Sequence, residues 1–114
     1  MTKGIFLLAQ NNESTNYVRQ ACLCAVSIKK TNPNTSVTLA TNDFVPAKYK
    51  KYFDYIIEIP GDDLATNEAW KISNRVKIYD LSPYDETIVL DTDTIVVSDI
   101  SSWWKELETY DLYF

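Results

Sequence analysis

The chain has 114 residues, enough for one domain with one modest core, and its 46% hydrophobic content is that of a globular protein. Its formal charge is −5 and no basic run is long enough to follow a phosphate backbone, which argues against a nucleic-acid partner. There is no histidine, which excludes Ser-His and Cys-His nucleophile systems and most zinc sites.

Residues 4–9, Gly-Ile-Phe-Leu-Leu-Ala, read as a first strand. The run is apolar throughout, as a strand buried on both faces requires. It is too short for a secretory signal, and no apolar run in the chain approaches a membrane span. Ser14, Thr15 or Asn16 can cap a helix running to about Lys30, with Lys29 and Lys30 at its negative end and Asn32-Pro33-Asn34 stopping it. Cys22 and Cys24 lie two apart in that helix and point to different sides, so they read as unpaired buried thiols of a reducing compartment, the cytoplasm.

Residues 36–41 predict a second strand, 47–52 a short helix and 55–59 a third strand ended by Pro60-Gly61-Asp62-Asp63. A longer helix is expected over 67–81, with Ile72, Val76 and Tyr79 as its apolar stripe and Pro83 beyond it. Then come the apolar run Thr87-Ile88-Val89-Leu90, a short strand over 94–97, a helix near 100–107 and the start of another strand over 111–114. Strands alternating with helices predict an α/β domain with a mainly parallel, Rossmann-like sheet flanked by helices.

Asp91-Thr92-Asp93 carries the chemistry. Two acids at a strand end concentrate negative charge at the rim of a sheet, which calls for a cation. Mg²⁺ and Mn²⁺ prefer carboxylate oxygens, and Asp91 and Asp93 can face one ion together if Thr92 stays extended. Short D-x-D strings also cap turns, but this one sits where open α/β sheets hold their ligands.

Residues 88–100, Ile-Val-Leu-Asp-Thr-Asp-Thr-Ile-Val-Val-Ser-Asp-Ile, resemble the metal-binding segment of GT-A glycosyltransferases, in particular the glycogenin-like and galactosyltransferase-like family. Upstream, Arg75-Val76-Lys77-Ile78-Tyr79-Asp80-Leu81 stands in the place of that family's basic helix, and the stretch from Leu8 to Tyr17 in the place of its first strand and nucleotide loop. The resemblance implies a GT-A fold over residues 1–114, covering the donor-binding half and lacking the acceptor half. It implies Mn²⁺ or Mg²⁺ as cofactor, with Asp93 a direct ligand and Asp91 binding metal, ribose or both. Thr92 lies between them in the same donor site. Ala9, Gln10, Asn11 and Tyr17 would hold base and ribose, and Lys71 and Arg75, with Asn74 on the same helix face, the donor phosphates. The donor is a nucleoside diphosphate sugar, a UDP-sugar by default, and the acceptor is not specified. Family members draw a further metal ligand, often His, from later in the chain, and their catalytic groups lie there too; this chain has no His, so no catalytic residue is assigned.

Other aromatic and acidic residues keep two readings. Tyr17 either touches the nucleotide or packs in the core. Trp70, Trp103 and Trp104 either pack or stack on sugar, and Asp43 either caps a turn or touches the nucleotide. The basic helix face is either a donor site or solvated surface. The functional expectation is a metal-dependent glycosyltransferase-like module. Its rivals are a non-catalytic remnant used in structure or interaction, and a phosphatase-like fold with Asp91 as nucleophile, disfavoured by the strand expected just after Asp93. A sheet edge and apolar face near Trp103, Trp104 and residues 111–114 predict pairing with a second copy.

Overall fold

The computed structural model describes residues 2–59 and 81–109. Its elements are β1 (Lys3–Leu8), α1 (Tyr17–Thr31), β2 (Ser36–Ala40), α2 (Ala47–Lys50), β3 (Tyr55–Ile57), β4 (Glu86–Val89), a 3₁₀ turn (Ser101–Trp103) and α3 (Trp104–Thr109). The helix expected over 67–81 falls outside the described residues except at Leu81, and the strand expected over 111–114 falls outside them entirely.

The four strands form one parallel sheet in the order β3-β2-β1-β4. Central β1 pairs Ile5 with Val37 on one side and with Ile88 on the other. Its apolar run is buried on both faces, as its composition requires. The small parallel α/β domain is therefore as the sequence predicts.

One face carries the main core. Ile5, Leu7, Val37 and Leu39 of the sheet meet Val18, Ala21, Cys22, Cys24, Ala25 and Ile28 of α1. The β2–β3 crossover adds Val45 and Phe53 to the same cluster. Each such large side chain contributes about 1.5–3 kcal/mol on burial. α1 starts where Asn16 Oδ1 accepts from the Arg19 N–H (3.0 Å) and ends at Asn32, whose N–H donates to the Ile28 carbonyl (2.6 Å). Cys22 and Cys24 are both free and buried.

The opposite face holds a smaller cluster of Phe6, Ala40 and Ile59, with Leu8 and Leu81 against it. Toward the amino end of that face the Tyr84 ring lies over Gly4. A Cβ on residue 4 would collide with the hydroxyl-bearing end of the ring, so glycine is what fits there. The Tyr84 hydroxyl shares hydrogen bonds with Ser36 Oγ and Thr38 Oγ1, both at 2.7 Å, and its ring meets Tyr55 edge-on at 6.3 Å.

The expected strand over 94–97 is corrected. Those residues join no ladder. Instead the segment runs along α1, whose polar side chains satisfy its backbone. Ser27 Oγ accepts from the Val96 N–H (2.9 Å). Asn32 donates to the Ser98 carbonyl (3.1 Å) and accepts from the Ile100 N–H (2.8 Å). Val96 and Ile100 are buried against the α1 core, while Ile95 and Val97 face water. Residues of high strand propensity thus form a ribbon because a helix, not a strand, offers the matching hydrogen bonds. The helix expected near 100–107 is present, opened by a 3₁₀ turn. The centre of the Trp104 ring on it lies 6.0 Å from the Lys3 ammonium, and Trp103 is about half exposed.

Candidate functional site

β1, β2 and β3 follow one another to one side of the sheet, and β4 returns to the other side of β1. The direction of winding reverses between β1 and β4. At such a point the loops leaving two neighbouring strands diverge and open a crevice at their carboxyl ends. Ala9-Gln10-Asn11 leaves β1 there, and Asp91-Thr92-Asp93 follows β4 after one intervening residue, Leu90. The Leu90 N–H donates to the Phe6 carbonyl (3.2 Å) and the Ala9 N–H to the Ala40 carbonyl (3.0 Å), so both exits are fixed to the sheet.

The D-x-D tripeptide is not extended. The Thr94 N–H donates to the Asp91 carbonyl (3.2 Å), closing a turn. Thr92 is buried and its hydroxyl donates to Gln20 Oε1 of α1 (3.0 Å). Asp91 and Asp93 are both exposed. The anchor of the motif is thus its middle residue, and the two acids on either side reach water. The negative charge of Asp93 is felt on α1: burial first, and then that charge, push the Cys24 thiol up to about 11. Burial also raises the Cys22 thiol. Both are poor nucleophiles at neutral pH.

The β1 loop is held by its own side chains. The Asn11 N–H donates to Asp43 Oδ2 (2.8 Å), and Asn11 Oδ1 accepts from the Val18 N–H at the start of α1 (3.0 Å). Asn12 Oδ1 accepts from the Ser14 and Thr15 N–H groups, at 2.9 and 2.8 Å. Ala9 and Gln10 are buried. Tyr17 is partly buried and packs against the α1 core, one of its two expected environments. Lys71, Asn74 and Arg75 lie outside the described residues, as does Trp70.

The structure therefore places Ala9, Gln10 and Asn11 after the carboxyl end of β1 and Asp91, Thr92 and Asp93 after that of its neighbour β4. Sequence reasoning missed Gln20, because a polar residue on the first half of a helix reads as solvent-facing. It left Asp43 open, although its position at the carboxyl end of β2 was a usable signal.

Among the described residues no group of three or more His, Cys, Asp or Glu side chains is placed to hold a metal ion. The D-x-D turn offers two exposed carboxylates. That set does not suit an ion caged wholly by protein. It suits Mg²⁺ or Mn²⁺ bound through one or two carboxylates, with water and substrate phosphates filling the other positions. No protein-family model matches the chain, and no curated protein sequence matches it. No helix among the described residues is long and apolar enough to cross a membrane.

Proposed function

We propose that the chain is a GT-A-like, metal-dependent nucleotide-sugar-binding module of the glycosyltransferase type. The observation that carries this reading is the position of the D-x-D turn. Two exposed carboxylates stand at the carboxyl end of the strand that forms the topological switch with β1. Asp91 and Asp93 would hold Mn²⁺ or Mg²⁺ together with the diphosphate of the donor. The ion would act as a Lewis acid that stabilises a departing nucleoside diphosphate. The Thr92–Gln20 bond anchors the turn from which both acids project. Gln10 and Asn11 border the crevice from the β1 side. The resemblance adds Arg75 and Lys71 as partners of the donor phosphates. Arg75→Ala should then weaken donor binding by about 1–3 kcal/mol with little change in melting temperature.

Calorimetry with UDP, with and without Mn²⁺, tests the reading. Binding should need the metal. Asp93→Asn should weaken it by about 100-fold, the factor that roughly 3 kcal/mol of a charge-assisted contact represents. Metal-independent binding, or unchanged affinity in Asp93→Asn, would remove the site.

A second reading draws on the turn itself. Phosphoryl transfer with Asp91 as nucleophile was disfavoured by an expected strand after Asp93, and that strand is replaced by a turn and a ribbon on α1. Hydrolysis of p-nitrophenyl phosphate with Mg²⁺ separates the two. Turnover lost in Asp91→Asn would favour the phosphatase, and no turnover beside tight Mn²⁺–UDP binding would favour the glycosyltransferase type.

A further inference from the structure

The nucleoside end of the ligand needs its own contacts, and several groups of the β1 loop are already engaged. The Asn11 N–H is held by Asp43, Asn11 Oδ1 by Val18, and Asn12 Oδ1 by Ser14 and Thr15. Tyr17 is packed on the core. The turn that follows β2 differs. Its frame is rigid: the Thr41 N–H donates to the Ile57 carbonyl (2.9 Å), Thr41 Oγ1 accepts from the Asp43 N–H (3.0 Å), and Asn42 Oδ1 accepts from the Ile59 N–H (2.9 Å). Val45 is buried immediately after. Between these anchors Phe44 stands 81% exposed. One carboxylate oxygen of Asp43 is on Asn11, and the other takes no hydrogen bond from a described residue.

We infer that this turn recognises the nucleoside, with the second Asp43 oxygen accepting a ribose hydroxyl and the Phe44 ring stacking on the base. The inference rests on the nucleotide reading above and adds the part of the site that reads the base end. A lone exposed aromatic is ordinary. Here its backbone lies between hydrogen-bonded anchors, beside a carboxylate bonded to the β1 loop. Stacking on an aromatic face accepts any base. An acid at the carboxyl end of the second strand is also where doubly wound sheets hold ribose hydroxyls. β2 and β4 flank β1, so their carboxyl ends lie about 10 Å apart. A nucleoside diphosphate laid across β1, with its phosphates at Asp91 and Asp93, would extend its nucleoside toward the β2 turn, which Asp43 ties to the β1 loop.

The test is calorimetry in Mn²⁺ with UDP, GDP, 2′-deoxy-UDP and pyrophosphate, on the native chain, Phe44→Ala and Asp43→Asn. Phe44 is exposed and an Asn at 43 can still accept from Asn11, so melting temperatures should hold. Phe44→Ala should weaken UDP and GDP by about tenfold, as expected for losing one stacked base, and leave pyrophosphate unchanged. The native chain should prefer UDP to 2′-deoxy-UDP, and Asp43→Asn should erase that preference. Equal loss for UDP and pyrophosphate in Phe44→Ala, or none for either, would overturn the stacking role. An absent ribose preference in the native chain would overturn the role of Asp43. In both cases native Mn²⁺–UDP binding would leave the nucleotide reading standing. Failure of the native chain to bind any of the four would remove both.

Discussion

The two ends of the sheet treat charge in opposite ways. At the amino end, charged and polar groups are tied to one another. Asp85 accepts from the Thr2 N–H (3.0 Å) and returns its own N–H to Thr2 Oγ1 (2.9 Å). Asp54 accepts from the Lys29 ammonium (2.7 Å) and the Val37 N–H (2.8 Å), and Lys29 also donates to the Thr35 carbonyl (2.8 Å). Tyr84 is clamped between Ser36 and Thr38. At the carboxyl end, Asp91 and Asp93 are exposed, and Phe44 stands in water on a rigid turn. The contacts at the amino end hold the fold; the exposed acids and ring at the carboxyl end lie where a ligand can reach them. Substitutions at the amino end should therefore cost stability, and substitutions at the carboxyl end should cost binding.

The largest effect should come from Gly4→Ala. The new methyl would collide with the end of the Tyr84 ring, which cannot retreat without straining both hydroxyl bonds, so about 3 kcal/mol of stability should be lost. Urea denaturation measures it. Adding Tyr84→Ala should restore part of the loss, because the two positions clash only with each other. Simple additivity would refute the contact.

Asn32→Ala should follow, at about 2 kcal/mol. It leaves the buried Ile100 N–H without its acceptor and frees the ribbon that follows the D-x-D turn. The same variant sharpens the comparison, since it joins the two ends. If the ribbon steadies the turn, Mn²⁺–UDP affinity should fall along with the melting temperature.

The pH dependence comes third. Burial pushes the Asp54 carboxyl up, but the bonds from Lys29 and Val37 outweigh it and hold the group below its ordinary 3.8. A depressed carboxyl contributes stability above the unfolded pKa and loses it as pH falls through the folded one. The native chain should thus lose stability below about pH 4, and Asp54→Asn should show a shallower acid limb in melts taken from pH 6 to pH 2. Equal slopes would mean that the Lys29 pair does not outlast solvent screening.

The smallest stability change should be that of Asp93→Asn, within about 0.5 kcal/mol, as for an exposed residue outside the core. It should nonetheless show the largest change in metal-dependent binding. A large melting shift here would break the division between the two ends.

Much of the fold was legible because local pattern and tertiary environment agree. The apolar runs before Asn11, Thr41 and Asp91 are strands, and Asn16 and Asn32 bound α1 as their side chains suggest. The miss over 94–97 has a physical cause. Ile95-Val96-Val97 carries strand propensity, but Ser27 and Asn32 on α1 supply its hydrogen bonds. Polar residues on a helix do not announce partners more than 60 residues away. The Gly4–Tyr84 contact was hidden for the same reason. Of the site, the acids were legible as a pair at a strand end, but not the turn that presents them. That turn depends on Thr92 reaching Gln20, 72 positions back. Neither pattern nor spacing shows that Phe44 would be left outside the core while its neighbour Val45 is inside it.

The pairing of β4 with β1 also sets an order of events in folding. Thr2 and Asp85 are 83 residues apart, whereas β1, α1 and β2 are neighbours in sequence. Closing so long a loop is slower than forming the local crossover, because chain entropy must be surrendered before any ladder bond repays it. The β1–β2 unit with α1 on its face can therefore form first, and β4 joins late. The crevice between β1 and β4 exists only after that step, so a metal and nucleotide bound there would stabilise the docked strand and leave the early unit unaffected.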